Sequence, residues 1–330
     1  MSGPAQPART YPITEDKPLA AIVRVKLIHW IGLRQSLLRH YGSPRGEGVS
    51  GFLVDWRVFM IVEESARRRR SAAVAGQFYA AGQDELIAEV DGYLAGAEVP
   101  PLGKVRAAIV PHAGFPCSGQ VAAYAFKALQ TFSGREQLIY LMGPAHRVPV
   151  TGMVLPTSDS FITPLGEVTV DDAAVQDLVE SGGPFSYHDA AHRPEHCLEV
   201  ELPFLQRVMP HMRIVPGLLG RALDPRLLAT YLAPLLDAAD RLLIVSSDLS
   251  HYHSYMRAVA MDKDLLRGIG DGDWNRVAGG EACGLELILA LLNLSATFNW
   301  QAHTLAYCNS GDTCGSREEV VGYCAVVFTD

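Results

Sequence analysis

Three apolar runs decide the fold: Val105–Val110 (VRAAIV) leads into Pro111-His112-Ala113-Gly114, Leu138–Met142 (LIYLM) into Gly143-Pro144-Ala145-His146, and Arg241–Val245 (RLLIV) into Ser246-Ser247-Asp248-Leu249-Ser250-His251. Short apolar runs bounded by Gly, Pro and Ser have the pattern of strands buried on both faces. Each ends in a polar word carrying an imidazole or a carboxylate. If the three are neighbouring parallel strands, those words converge in one crevice, because open α/β sheets bind ligands beyond the carboxyl ends of their strands.

Outward from these runs, the chain after Ala72 alternates strand and helix signals, which predicts an α/β fold: a central, largely parallel or mixed sheet covered by helices. Helices are expected over Gln83–Ala95, Gly119–Leu129, Asp171 to about Glu180, Cys197–Met209, Pro225–Ala238, Tyr255–Arg267 and Cys283–Leu294. Further strands are expected at Met153–Leu155, Glu167–Val170, Arg213–Val215 and Val320–Phe328. Residues 71–330 form the α/β domain in this reading. Residues 1–70 read as an appended segment of different composition, with a mixed apolar and cationic stretch over Ile22–Tyr41 that suits either an amphipathic helix or a packing appendage. The Gly-x-Gly-x-x-Gly at Gly46–Gly51 follows a Ser-Pro-Arg loop instead of a strand, so it is read as a loop and not as a dinucleotide site.

Charge narrows the partners. Residues 1–70 hold 12 of the 28 Lys and Arg but 6 of the 36 Asp and Glu, leaving 16 cations against 30 acids, a balance of −14, in the remainder. Phosphate neutralisation needs clustered cations, so nucleic acid is not an expected partner of this body; a small molecule or a peptide is. The six cysteines include no Cys-x-x-Cys pair, and in so long a chain they are expected to be reduced thiols in a cytoplasmic protein. No signal peptide and no transmembrane segment are expected.

His112 and His146 occupy equivalent strand ends, which makes joint participation in one site the favoured reading, imidazole being the commonest metal ligand. Asp248 at the third end suits a ligand, a partner of a histidine or a base, and a helix or turn cap equally well. His251 extends the same word. Cys283 precedes the apolar run LELILALLNL, where a helix dipole would favour the thiolate, although a free Cys in such a place also simply packs. The segment from His192 to Phe204 is dense in polar groups; read as a helix, it puts His196 and Val200 on one face and Glu195 and Glu199 on the next, as supporting groups, as an acid and base, or as a solvated helix start.

Taken together these words resemble the Memo family, whose prokaryotic members are often named AmmeMemoRadiSam system protein B. The resemblance runs through Ala75-Gly76-Gln77-Phe78-Tyr79, Pro111–Phe115, Ser118-Gly119, Gly143–His146, Thr163–Gly166, Glu195-His196 with Leu202-Pro203-Phe204, Ser246–Asp248 with Ser250-His251, and Cys283-Gly284, over about residues 71–330. It departs at Ala80, Cys197 and Glu201, where the family usually has proline, serine and glutamine. The resemblance implies a fold similar to LigB-like class III extradiol dioxygenases. It also implies metal ligands at His112, His146 and Cys283, with Asp248 and His251 close by. A thiolate in place of a carboxylate softens the site, so iron(II) is the first expectation, with copper or zinc as alternates.

The expected function is a metal-dependent redox enzyme, with Asp248, His251 and His196 handling protons. Two other readings stay open: a non-catalytic metal- or peptide-binding module using the same crevice, and a thiol enzyme with Cys283 as nucleophile. The family name further implies radical-SAM and AMMECR-domain proteins as partners.

Overall fold

The computed structural model describes residues 68–132 and 136–330. The Ile22–Tyr41 stretch, the Gly46–Gly51 loop and the readings attached to them lie outside the described residues. The described strands are β1 (Arg69–Arg70), β2 (Val105–Val110), β3 (Gln137–Pro144), β4 (Met153–Leu155), β5 (Ser160–Thr163), β6 (Gly166–Thr169), β7 (Phe185–Tyr187), β8 (Met212–Leu219), β9 (Arg241–Ser246), β10 (His251–His253), β11 (Gln301–Asn309) and β12 (Val320–Thr329).

Nine of them form one mixed sheet in the order β10-β12-β2-β9-β3-β8-β4-β7, with β11 also paired to β12. Its centre, β2-β9-β3-β8, is parallel throughout. The three runs that opened the sequence reading are therefore adjacent parallel strands, and their carboxyl ends lie side by side. Antiparallel β12 closes one flank and antiparallel β4 the other. A separate small sheet pairs β1 with β5 and β5 with β6.

Burial explains the apolar monotony of the central strands: every residue of β2 is buried, and β3 and β9 are buried over almost their whole length. Sheets covered on both faces leave no polar face for alternation to show. Helix Phe115–Leu129 begins immediately after Gly114 with Pro116 in its first turn, where a missing N–H leaves no bond unmade. Its Phe126 ring stacks on Phe204 at 4.9 Å, and Phe115 and Phe204 pack at 5.0 Å. Each such fully buried ring contributes about 1.5–3 kcal/mol through the water it leaves.

Several expectations need correction. The helix expected over Cys197–Met209 is confined to Leu202–Val208, with Pro203 in its first turn, and residues 197–201 are a turn. The helical faces assigned to His196, Val200, Glu195 and Glu199 therefore do not exist. Glu199 instead sits fully buried, pairs with Arg70, and accepts hydrogen bonds from the N–H groups of Ala73 (2.7 Å) and Val74 (3.0 Å) and from the Tyr79 hydroxyl (2.6 Å). Helix Tyr255–Asp271 runs a turn past its expected end and stops at Gly272, whose φ of 66° is the left-handed cap that glycine adopts without strain. The expectation of reduced thiols fails for Cys117 and Cys314, which are bonded to each other across 197 residues of sequence; Cys197, Cys283, Cys308 and Cys324 are free. Among the described residues no helix is long and apolar enough to cross a membrane.

Candidate metal centre

Three of the central strands, β2, β3 and β9, each deliver one group to the same end of the sheet. His112 leaves the end of β2 fully enclosed: its N–H donates to Asp248 Oδ1 (2.9 Å), its Nδ1 lies 2.8 Å from Ser246 Oγ, and its Nε2 lies 3.3 Å from Cys283 Sγ. Burial, and then the neighbouring His146 and His196, hold its imidazole well below the usual range, so the ring is neutral at physiological pH.

His146 follows β3 and is anchored by Glu195, a buried carboxylate from the turn after the short helix Asp189–His192. Glu195 Oε2 accepts from the N–H groups of His146 (2.7 Å) and Arg147 (3.2 Å). Its Oε1 accepts from the N–H groups of His196 (2.9 Å) and Cys197 (3.2 Å), and lies 3.1 Å from His146 Nδ1 and 3.0 Å from His196 Nδ1. Burial alone would raise this carboxyl, but the hydrogen bonds from His146 and His196 outweigh it and leave Glu195 well below the usual carboxylate range. One ionised side chain thus orients two imidazoles. The His146 bond to Glu195 places the proton on Nδ1 and leaves Nε2 as that ring's open donor.

The imidazoles meet. Ring centroids are 5.1 Å apart for His112 and His146, 5.5 Å for His112 and His196, and 4.9 Å for His146 and His196. One nitrogen from each lies within 4.8 Å of the other two. Glu195 and Cys197 also come within that distance of His146. Glu195, however, already accepts five hydrogen bonds, and Cys197 Sγ is directed to the Pro144 carbonyl at 3.3 Å.

Cys283 arrives from a turn whose backbone is laced to the end of β9. Cys283 N–H donates to the Asp248 carbonyl (3.2 Å), and Asp248 N–H donates to Cys283 Sγ (3.2 Å). Gly284 makes this approach possible: a Cβ there would lie 2.8 Å from Ser247 Cβ. The helix itself starts at Leu285, and burial, followed by the charge of Asp248, pushes the Cys283 thiol up to about 12. Burial therefore works against the easily ionised thiol that a position before a helix suggests. His146 and Cys283 both line a cavity of about 340 Å³ together with Arg221 and Glu286.

Burial likewise raises Asp248, to about 6, despite the bond from His112 N–H. His251 stands apart from the three-histidine cluster; its N–H donates to Glu281 Oε1 (2.9 Å), while its charge bears on both His112 and Asp248. His253 Nε2 pairs with Glu281 Oε2 at 2.8 Å.

Among the described residues the three imidazoles of His112, His146 and His196 form a group that could hold a metal ion, and Cys283 reaches it through His112 alone. An imidazole nitrogen and a thiolate sulfur bound to one tetrahedral ion are roughly 3.5 Å apart from their bond lengths, close to the 3.3 Å between His112 Nε2 and Cys283 Sγ. Nitrogen and sulfur donors suit zinc, copper and iron more than magnesium or calcium. Sequence reasoning placed Glu195 only as one of several polar neighbours, and its adjacency to His196 was the available signal.

The chain is similar to known proteins over most of its length. The family model described as Memo-like protein matches residues 70–327. MEMO1 family proteins of Aeropyrum pernix (34% identical, 78% of this chain and 98% of theirs), Methanosarcina barkeri (33%, 78% and 99%) and Sulfurisphaera tokodaii (31%, 79% and 99%) align over nearly their full length. A solved structure, an uncharacterized protein of Escherichia coli K12, is 14% identical, with a TM-score of 0.48 over 68% of this chain and 99% of its own. By the extent of the match, from β1 almost to the end of β12, the chain belongs to the Memo-like protein family.

Proposed function

We propose that this chain is a metal-dependent redox enzyme in which His112, His146 and Cys283 hold a non-haem iron or copper ion, with His196 as a further imidazole at the same point; zinc in that place would bind without redox chemistry. The observation that carries the reading is the convergence of three imidazoles within 4.8 Å, with the Cys283 thiol 3.3 Å from one of them. A bound iron or copper ion would supply electron exchange with oxygen or with a small substrate.

The remaining chemistry belongs to the chain. Asp248, at about 6, can give or take a proton near neutral pH, and its carboxylate, bonded to His112 N–H, puts that proton beside one of the proposed ligands. His251 and His196 are the other proton-handling groups in this reading. The cavity shared by His146 and Cys283 has the volume for a small molecule or a peptide side chain. Cytoplasmic location and partnership with radical-SAM and AMMECR-domain proteins belong to the same proposal, and co-purification from the native host is their test.

The direct test is anaerobic purification with metal analysis of the wild type, His146→Ala and Cys283→Ser. Loss of stoichiometric metal in both variants is expected; full metal in both would overturn the ligand assignment. Oxygen uptake by the loaded protein separates the enzyme from a module that only binds.

A further inference from the structure

Ser246, the last residue of β9, is fully buried, and its hydroxyl oxygen has three close neighbours: His112 Nδ1 at 2.8 Å, the Cys197 carbonyl at 2.9 Å and Glu201 Oε1 at 2.8 Å. A hydroxyl owns one hydrogen and two lone pairs. Three partners are therefore all satisfied only if two of them bring their own hydrogen. The carbonyl has none to bring. We propose that Glu201 is held as a neutral carboxylic acid that donates to Ser246 Oγ, so that Ser246 can bond the Cys197 carbonyl while accepting from His112 Nδ1–H, leaving His112 Nε2 as the lone pair facing Cys283.

Glu201 in this arrangement is a positioning residue, acting on His112 through Ser246. Its surroundings agree with the neutral form. Glu201 is fully buried, and among the described residues its Oε2 has no hydrogen-bond partner. A bare carbonyl oxygen in that position is far less costly than a bare carboxylate oxygen, because an ion without partners loses its hydration outright. Burial, with the nearby Asp248 charge adding to it, pushes the Glu201 carboxyl well above its usual range, while the Ser246 bond works the other way. An ionised Glu201 would take the Ser246 hydrogen for itself and strip the Cys197 carbonyl of that donor. Cys197 follows His196 directly, so that loss would act on the turn that presents His196 to the cluster.

The inference deepens the metal-centre reading, since a free Nε2 is what a metal ion requires, but its test needs no metal. Infrared difference spectroscopy of the metal-free full chain at about pH 8, where Asp248 at about 6 is ionised, compares wild type with Glu201→Gln. The amide of E201Q keeps both the shape and a hydrogen to donate, so the variant is expected to fold. The expected result is loss of one protonated-carboxyl band in the variant; identical spectra in that region would overturn the proposal. Long-range proton–nitrogen correlation on histidine-labelled wild type gives a second reading that depends on no variant at position 201. His112 is expected as the Nδ1–H tautomer, unchanged in E201Q, and an Nε2–H tautomer would overturn it. Absence of metal from the purified protein, with both signatures present, would refute the proposed centre and leave the Glu201 assignment standing.

Discussion

His192 makes a contribution to the pH dependence of stability that a single substitution can isolate. The ring is buried at the end of helix Asp189–His192, with Nε2 3.0 Å from the Val154 carbonyl and the Phe161 ring against it at 6.1 Å. Burial, and then the Arg70 guanidinium, lower it to about 4 from an ordinary 6.5, although the Val154 bond resists. Above pH 6.5 the ring is neutral in both folded and unfolded chains and contributes nothing. Between 6.5 and 4 the unfolded chain binds a proton that the folded one refuses, so stability falls as pH falls, and below 4 the loss stops growing. Each pKa unit corresponds to about 1.4 kcal/mol, which makes the full loss about 3 kcal/mol. His192→Gln keeps an amide N–H in place of Nε2–H for the Val154 carbonyl but cannot take up the proton. Urea unfolding of both proteins in steps from pH 7 to 4 reads the effect as a difference between them. His112 and Glu195 titrate in both proteins and drop out of that difference. The wild type should lose about 3 kcal/mol more than H192Q over this range. Parallel pH profiles would show that His192 is not the group whose proton is refused.

Glu195→Gln should weaken zinc binding by about 10- to 100-fold in a chelator competition, since it degrades the shared orienting acceptor of His146 and His196; unchanged affinity would remove Glu195 from the site. Glu199→Gln leaves the buried Arg70 charge without its counter-ion and should cost about 3–5 kcal/mol by denaturant unfolding, whereas a loss under about 1 kcal/mol would mean the pair is solvated. Cys117→Ser with Cys314→Ser, or reduction of the wild type, opens a loop of 197 residues and should lower stability by up to about 5 kcal/mol on the chain-entropy argument. An unaltered unfolding midpoint would contradict that cross-link.

What the sequence made legible follows from how each feature is encoded. The parallel centre was readable because strands covered on both faces must be apolar throughout, and because Gly, Pro and Ser mark where each one ends. Strand β11 was not: QAHTLAYCN is only half buried along most of its length and mixes polar with apolar residues without a strict period. The Cys117–Cys314 bond escaped because only the tertiary fold brings their Cα atoms to 5.0 Å. The segment of residues 194–201 reads as helix from sequence because its polar density imitates a helix start, while the N–H groups of His196 and Cys197 in fact turn onto the Glu195 carboxylate. His112, His146 and Asp248 could be placed by strand ends. The role of Glu195 could not, since a carboxylate that orients two histidines has no spacing signature.

The electrostatics also favour a metal ligand over a nucleophile at Cys283. A thiol–imidazole nucleophile works as a thiolate beside a protonated ring, which needs a lowered thiol and a raised histidine. Here the thiol is pushed up to about 12 and His112 is pushed well below its usual range, so the metal-free pair at 3.3 Å rests as neutral thiol and neutral ring. A metal ion reverses the balance by replacing the thiol proton and taking up the open Nε2, using both shifts instead of opposing them. Alkylation of the metal-free protein at pH 8 discriminates the two. A thiol at about 12 instead of 9 is about a thousandfold less ionised, and its greater intrinsic nucleophilicity restores roughly thirtyfold, so Cys283 should react about thirtyfold more slowly than an unperturbed cysteine. Cys283 lines the cavity with His146, and repeating the reaction at higher pH separates ionisation, which speeds it, from access, which does not. Reaction as fast as that of free cysteine would restore the nucleophile and undo the reading of Cys283 as a ligand that waits for its metal.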